Sequence, residues 1–258
     1  MNKINQLFEN NQDKKLLSLY FCAGSPTLDS TGSVLKAMQD GGIDMVEVGV
    51  PFSDPIADGP VIQTASTIAL RNGMSLKTLF AQLKEVKDQI KIPYLLMGYL
   101  NVMMHYGVEA FCKSCVDSGV SGFIFPDLPF DDYLRDVKPI ADRYDLRVIM
   151  MITPETSEER IRMIDEHTDG FVYMVSSAGV TGAQKDFNEQ KLEYFKRIDD
   201  MKLKNPRMIG FGISNRQTLE NAQKYASGAI IGSKFVGLLN KTGNPVESVA
   251  QLKEALQQ

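Results

Sequence analysis

Glu47 lies in the stretch Ile43-Asp44-Met45-Val46-Glu47-Val48-Gly49-Val50. Read as a strand, its period of two puts Met45, Glu47 and Gly49 on one face and Val46, Val48 and Val50 on the other. The valine face suits packing beneath helices, so the carboxyl of Glu47 points to the interior, near the C-terminal end of its strand. A buried, unpaired carboxylate is costly, or it holds its proton to a higher pH. In the second case it is a good general acid or base. The alternative is a structural glutamate neutralised by an arginine or lysine from elsewhere in the chain. Asp54 and Asp58 follow in Pro51-Phe52-Ser53-Asp54-Pro55-Ile56-Ala57-Asp58-Gly59-Pro60. Either suits a turn before a helix that starts at Gly59-Pro60. Either could also hang over Glu47, and two carboxylates in unlike surroundings can divide acid and base work. In Gly170-Phe171-Val172-Tyr173-Met174-Val175 the same alternation groups Phe171, Tyr173 and Val175. An inward Tyr173 needs a hydrogen-bond partner, and Glu47 is a candidate; a core or helix-facing tyrosine is the other reading.

Glycines recur at three strand ends: Gly179-Val180-Thr181-Gly182, Gly210-Phe211-Gly212-Ile213-Ser214, and Gly232-Ser233 before a short helix over Lys234–Leu239. Glycine lets backbone N–H groups approach an anion, and α/β barrels often hold phosphate on the loops after their last strands and a helix N-terminus. Other chemistries lack their residues. Cys112-Lys113-Ser114-Cys115 falls inside a helical pattern over Val108–Asp117, and a zinc site wants four ligands. There are 2 histidines, His105 and His167, too few for a histidine-built metal site, so no metal is expected. No lysine falls inside a predicted strand, leaving Lys234 as a weak Schiff-base candidate. A phosphate site, carboxylates and a tyrosine leave acid–base chemistry. Carbon–carbon cleavage by that route needs a substrate that supplies its own electron sink.

Eight short apolar runs have to position these groups: Leu17–Cys22, Met45–Val50, Tyr94–Tyr99, Gly122–Phe125, Arg147–Ile152, Phe171–Val175, Arg207–Phe211 and Ala229–Ile231. Helical patterns separate them, and Val246–Leu256 supplies a last helix. Repeated βα units imply parallel strands with helical crossovers. Eight of them in 258 residues, with no linker, predict one (β/α)8 TIM barrel spanning 1–258. The loops Pro51–Gly59 and Ser176–Asn188 are longer than usual and would lie at the C-terminal face, where barrel enzymes keep their chemistry. The composition is 43% hydrophobic and 23% charged, with a net charge of -4 and no basic stripe, which argues against nucleic acid or an anionic membrane as partner. Three cysteines, no signal sequence and no apolar run of roughly 18 residues predict a cytoplasmic protein with reduced thiols.

The block from Val46 through Gln63 closely resembles the signature of the tryptophan synthase alpha subunit family. Pro126-Asp127-Leu128-Pro129 and the three glycine motifs match in family order, and the likeness runs from Asn2-Lys3-Ile4 onward. The resemblance implies retro-aldol cleavage of indole-3-glycerol phosphate to indole and glyceraldehyde 3-phosphate. Glu47 would be the acid/base, Asp58 would hold the indole N–H, and Tyr173 would position Glu47. Thr181, Gly182, Gly212, Gly232 and Ser233 would receive the phosphate end, and Tyr20, Ile62, Met97, Met151 and Phe211 the indole. It implies no cofactor in this chain. It also implies an α2β2 assembly in which a beta subunit uses pyridoxal phosphate (PLP), with Pro51, Asp54, Pro55, Asn101 and Pro129 at or near the contact. A stand-alone indole-releasing lyase and a non-catalytic allosteric partner are the competing readings. Ser177 stands where many members carry arginine, and Tyr20 where phenylalanine is frequent.

Overall fold

Eight inward faces meet in a closed ring. The computed structural model describes residues 1–176 and 187–257. Its strands are β1 (Leu16–Cys22), β2 (Met45–Gly49), β3 (Tyr94–Met97), β4 (Gly122–Ile124), β5 (Arg147–Val148), β6 (Met151–Ile152), β7 (Val172–Val175), β8 (Arg207–Gly210) and β9 (Gly228–Ile231). All pairs are parallel, in the order β5-β4-β3-β2-β1-β9-β8-β7-β6. The two ends of that order are consecutive in the chain. β5 pairs with β4, β6 pairs with β7, and the two residues between them continue the ladders: Ile149 N–H donates to Phe123 O (3.0 Å) and Tyr173 N–H to Met150 O (3.1 Å). The run 147–152, expected as one strand, is thus one barrel strand that changes neighbours midway and closes an eight-membered barrel.

Two apolar layers follow the period-two pattern. Met45, Phe171, Tyr173 and Val175 belong to the lumen cluster with Leu16, Leu95, Ile124, Met208 and Ile230. Val46, Val48, Val50, Val172 and Met174 belong to the outer layer, beneath the helices. One helix the periodicity does not announce, α1 (Lys3–Asn10), seals the N-terminal mouth: Ile4 is fully buried in the lumen cluster, with Leu7 and Phe8 packed against it. Asn2 fastens it there, donating to Ser121 O (2.7 Å) and Asp145 O (2.6 Å) while capping the Ile4 N–H. That end of the lumen is thus plugged.

The crossovers are richer than one helix each. After α2 (Thr31–Asp40), two helices, α3 (Pro60–Arg71) and α4 (Leu76–Val86), join β2 to β3. Two more, α5 (Leu100–Tyr106) and α6 (Val108–Asp117), join β3 to β4. α3 starts where its sequence indicates, with Gly59 at the cap and Pro60 in the first turn. Beyond α7 (Phe130–Asp132), α8 (Lys138–Arg143), α9 (Glu158–His167), α10 (Glu189–Asp200) and α11 (Arg216–Tyr225), the helix expected over Lys234–Leu239 is the longer α12 (Ser233–Thr242); α13 (Pro245–Ala255) ends the fold. Among the described residues no helix is long and apolar enough to cross a membrane. Cys22, Cys112 and Cys115 are free and buried, the last two inside α6 as their spacing suggests.

Candidate active site

Glu47 projects into the lumen one layer above Met45 and is 1% exposed. Its Oε1 is buried with no hydrogen-bond partner, and no ion pair involves it among the described residues. Among the described residues the neutralising arginine or lysine of the structural reading is therefore missing. Burial alone pushes the carboxyl up from 4.5 to about 8, so at neutral pH it holds a proton it can give.

Asp58 reaches the same cavity from the loop after β2, while Asp54 stays at the exposed rim, accepting from its neighbour Ser53 Oγ (2.6 Å). Asp58 is half-buried, and burial raises its pKa. A hydrogen bond from the Tyr99 hydroxyl to Oδ2 (3.1 Å) offsets part of that rise by favouring the anion. The Tyr99 oxygen also accepts from the Ala57 N–H (3.1 Å), and its ring stacks on Phe52 at 5.0 Å. Tyr99 thus clamps the loop that carries Asp58. The sequence reading passed over it, although the parity of Leu95, Met97 and Tyr99 put it on the inner face. The two carboxylates consequently differ: one is unpartnered and favours its proton, the other receives a donor that favours its charge.

Two tyrosines flank Glu47 in matching ways. Tyr20 is in register with Glu47 on the adjacent strand, and its hydroxyl leans on Gly49, two residues further along. Tyr173 is in register with Met208, and its hydroxyl leans on Gly210, again two residues further. Each glycine is needed, because a Cβ at either position would collide with the phenol. Burial, then the nearby carboxylates, hold the Tyr173 hydroxyl protonated well above its ordinary range; Tyr20 behaves likewise. The Tyr173-to-Glu47 hydrogen bond weighed from the sequence is not made to Oε1; Tyr173 stands instead as a wall of the cavity that Glu47 faces.

The cavity around Glu47 has a volume of about 30 Å³ and adjoins a larger one of about 300 Å³. Tyr20, Asp58, Met97 and Phe211 line both. Ile62, Gly212, Gly232 and Ser233 line the first, and Met151 lines the second together with Tyr99, Pro126 and Thr153. At the end of β8, Phe211 (φ 67°) and Gly212 (φ 77°) are both left-handed, a strained choice for phenylalanine. The buried Ser176 hydroxyl holds the turn by donating to Phe211 O (2.8 Å). Thr181 and Gly182, like Ser177, lie outside the described residues. Among the described residues no group of three or more His, Cys, Asp or Glu could hold a metal ion.

At the rim, Asp54, Asn101 and Pro129 are exposed and Pro55 is half-exposed. Pro51, expected beside them at the partner contact, is buried in the isolated chain, two residues beyond β2. Ile56 beside Pro55 is 84% exposed, and Met104 on α5 is 57% exposed.

A family model described as tryptophan synthase alpha chain matches residues 7–258. The chain is 63% identical over 258 residues to a tryptophan synthase alpha chain from Parabacteroides distasonis, covering all of both chains. It is 59% identical over 256 residues to that of Bacteroides thetaiotaomicron, covering 99% of this chain and 100% of the relative. Among solved structures it is similar to tryptophan synthase subunit alpha from Legionella pneumophila (TM-score 0.89, 28% identity, 100% and 99% of the two chains covered). It is likewise similar to a chain of tryptophan synthase from M. tuberculosis in its aminoacrylate-bound form (TM-score 0.85, 26% identity, 99% and 98% covered).

Proposed function

The chain belongs to the tryptophan synthase alpha chain family, whose members are lyases, and from that premise we propose that Glu47, Asp58 and Tyr173 carry out the cleavage of indole-3-glycerol phosphate. The observation that carries the assignment is the buried, unpartnered carboxyl of Glu47 in a cavity it shares with Asp58. Glu47, protonated at neutral pH, gives its proton to C3 of the indole ring. The positive indolenine that forms is stabilised by Asp58 at the ring N–H. The glutamate, now ionised, takes the proton of the adjacent glycerol hydroxyl. The carbonyl of glyceraldehyde 3-phosphate forms as the carbon–carbon bond breaks, and the bonding pair returns to the ring and restores indole. Proton and charge balance over the cycle, and the protonated ring is the electron sink, so no group beyond substrate and side chains is required. Tyr173 orients the reacting end, and the apolar residues of the second cavity, Met97, Met151 and Phe211 among them, take the indole ring. Gly212, Gly232 and Ser233, with Thr181 and Gly182, take the phosphate, and the whole chain 1–258 works as one barrel domain.

A beta subunit is the partner the family implies. The α2β2 stoichiometry and the PLP on the beta chain are parts of this proposal, and Asp54, Pro55, Asn101 and Pro129, with the exposed Ile56, form the face it would cover. Three buried free cysteines fit a reducing cytoplasm. The decisive experiment measures indole release from indole-3-glycerol phosphate by the purified chain, alone and with a beta subunit. Slow release that the partner stimulates strongly is the expected outcome. Full turnover without a partner would favour a stand-alone lyase, and no release even with a matched partner would leave only an allosteric barrel.

The tyrosine–glycine pairs give a second prediction. Gly210→Ala drives a methyl group into the Tyr173 phenol. Displacing Tyr173 by about an ångström should cost on the order of 100-fold in indole release, with the barrel still folded by circular dichroism. Wild-type turnover in Gly210→Ala would show that Tyr173 has no positioning role.

A further inference from the structure

We propose that Lys234 is a phosphate-binding residue of this active site, its ammonium supplying the positive charge that the glycine turns around it lack. The proposal rests on the reading of the substrate as indole-3-glycerol phosphate. Lys234 is the second residue of α12, a helix of 10 residues whose cap, Gly232, offers no side-chain hydrogen bond. The first N–H groups of such a helix need an acceptor, and its dipole favours an anion there. Lys234 lines the same cavity as Gly212, Gly232 and Ser233, and it is the one basic residue among the described residues that line either cavity.

Among the described residues its charge is not spent elsewhere. The ion pairs of the described residues use other lysines and arginines, Lys14 with Asp44 and Arg207 with Asp199 among them, and none uses Lys234. Glu47 and Asp58 line the cavity too, yet neither pairs with it. The unpartnered Glu47 Oε1, buried in the same cavity, independently marks where a ligand's reacting end belongs. The glycine turns with the lysine then mark where its anionic end belongs. A phosphate dianion entering a chain of net charge -4, toward two carboxyl groups, meets repulsion. Backbone amides give direction but little net charge, and the ammonium of Lys234, a half-buried residue at the helix start, would offset the repulsion at the point of contact.

Calorimetry on the full chain tests this with two probes, indolepropanol phosphate and indolepropanol, at low and high salt. Lys234→Met should bind the phosphate probe about ten-fold more weakly, as expected for losing one charge-assisted contact, and with a shallower salt dependence. It should bind indolepropanol as wild type does. Lys234→Arg should retain most of the phosphate affinity. Lys241→Met, which removes the same charge from an exposed site in the last turn of α12, should match wild type. Wild-type affinity for the phosphate probe in Lys234→Met would overturn the proposal and leave the substrate reading standing, as would an equal loss in Lys241→Met. A wild-type chain that binds indolepropanol phosphate no more tightly than indolepropanol would instead sink the substrate reading.

Discussion

Glu47→Gln should lower indole release by roughly three orders of magnitude, the middle of the range for losing a general acid–base. The substitution keeps the size and shape of the side chain and replaces the ionisable carboxyl with an amide that cannot donate its proton as an acid. Among the described residues nothing else in the cavity matches its unpartnered carboxyl. Burial raises the Asp58 pKa, but the hydrogen bond from Tyr99 offsets part of that rise by favouring the anion, and burial keeps both inward tyrosines protonated far above neutral pH. In the proposed mechanism Glu47 enters the reaction protonated, so wild-type activity should decline as pH rises through about 8, and the residual activity of Glu47→Gln should lack that limb. Binding of indolepropanol phosphate should survive, since the loss belongs to the transition state and not to the pocket. The measurement is steady-state indole release against pH for both proteins, with calorimetry as the control for binding. Undiminished release, or an alkaline limb that persists in the variant, would remove Glu47 from the mechanism.

The inward faces of β2 and β7 were legible because a strand has only two faces, and Val46, Val48 and Val50 declare which of them is apolar on its own account. That single fact placed Glu47, and the same parity placed Tyr173. The barrel followed from counting units, although the strand that closes it was read as continuous where it switches partners at Ile149 and Met150. A pattern of side chains does not report a change of backbone neighbour. α1 was missed because its role is set by the hole it fills: Ile4 and Phe8 make sense as a plug only once the lumen exists. Tyr99 was overlooked for a related reason. Its chemistry lies in two hydrogen bonds to a loop more than forty residues earlier, at Ala57 and Asp58, and long-range pairing leaves no periodicity.

The same carboxyl that we propose drives turnover should weaken the fold. The unfolded Glu47 titrates near 4.5 and the folded one near 8. Below 4.5 both states hold the proton and the group costs the fold no ionisation. Between the two values the folded chain retains a proton the unfolded chain has released, so stability falls with rising pH by about 1.4 kcal/mol per unit. Above 8 both states are ionised, and the accumulated penalty is on the order of 5 kcal/mol, a large share of the stability of an ordinary domain. Glu47→Gln abolishes this titration. The difference in unfolding free energy between variant and wild type, measured by urea denaturation, should therefore grow in favour of glutamine from pH 5 to pH 8. Every other titrating group cancels in that difference, and so does the constant cost of an amide in the same buried place. Parallel stability curves would show that the folded carboxyl titrates at an ordinary pH, and the proton that starts the reaction would then have to come from elsewhere. A growing advantage for glutamine, beside its loss of turnover, would mean that packing would have discarded the carboxyl and that catalysis is what keeps it in the barrel.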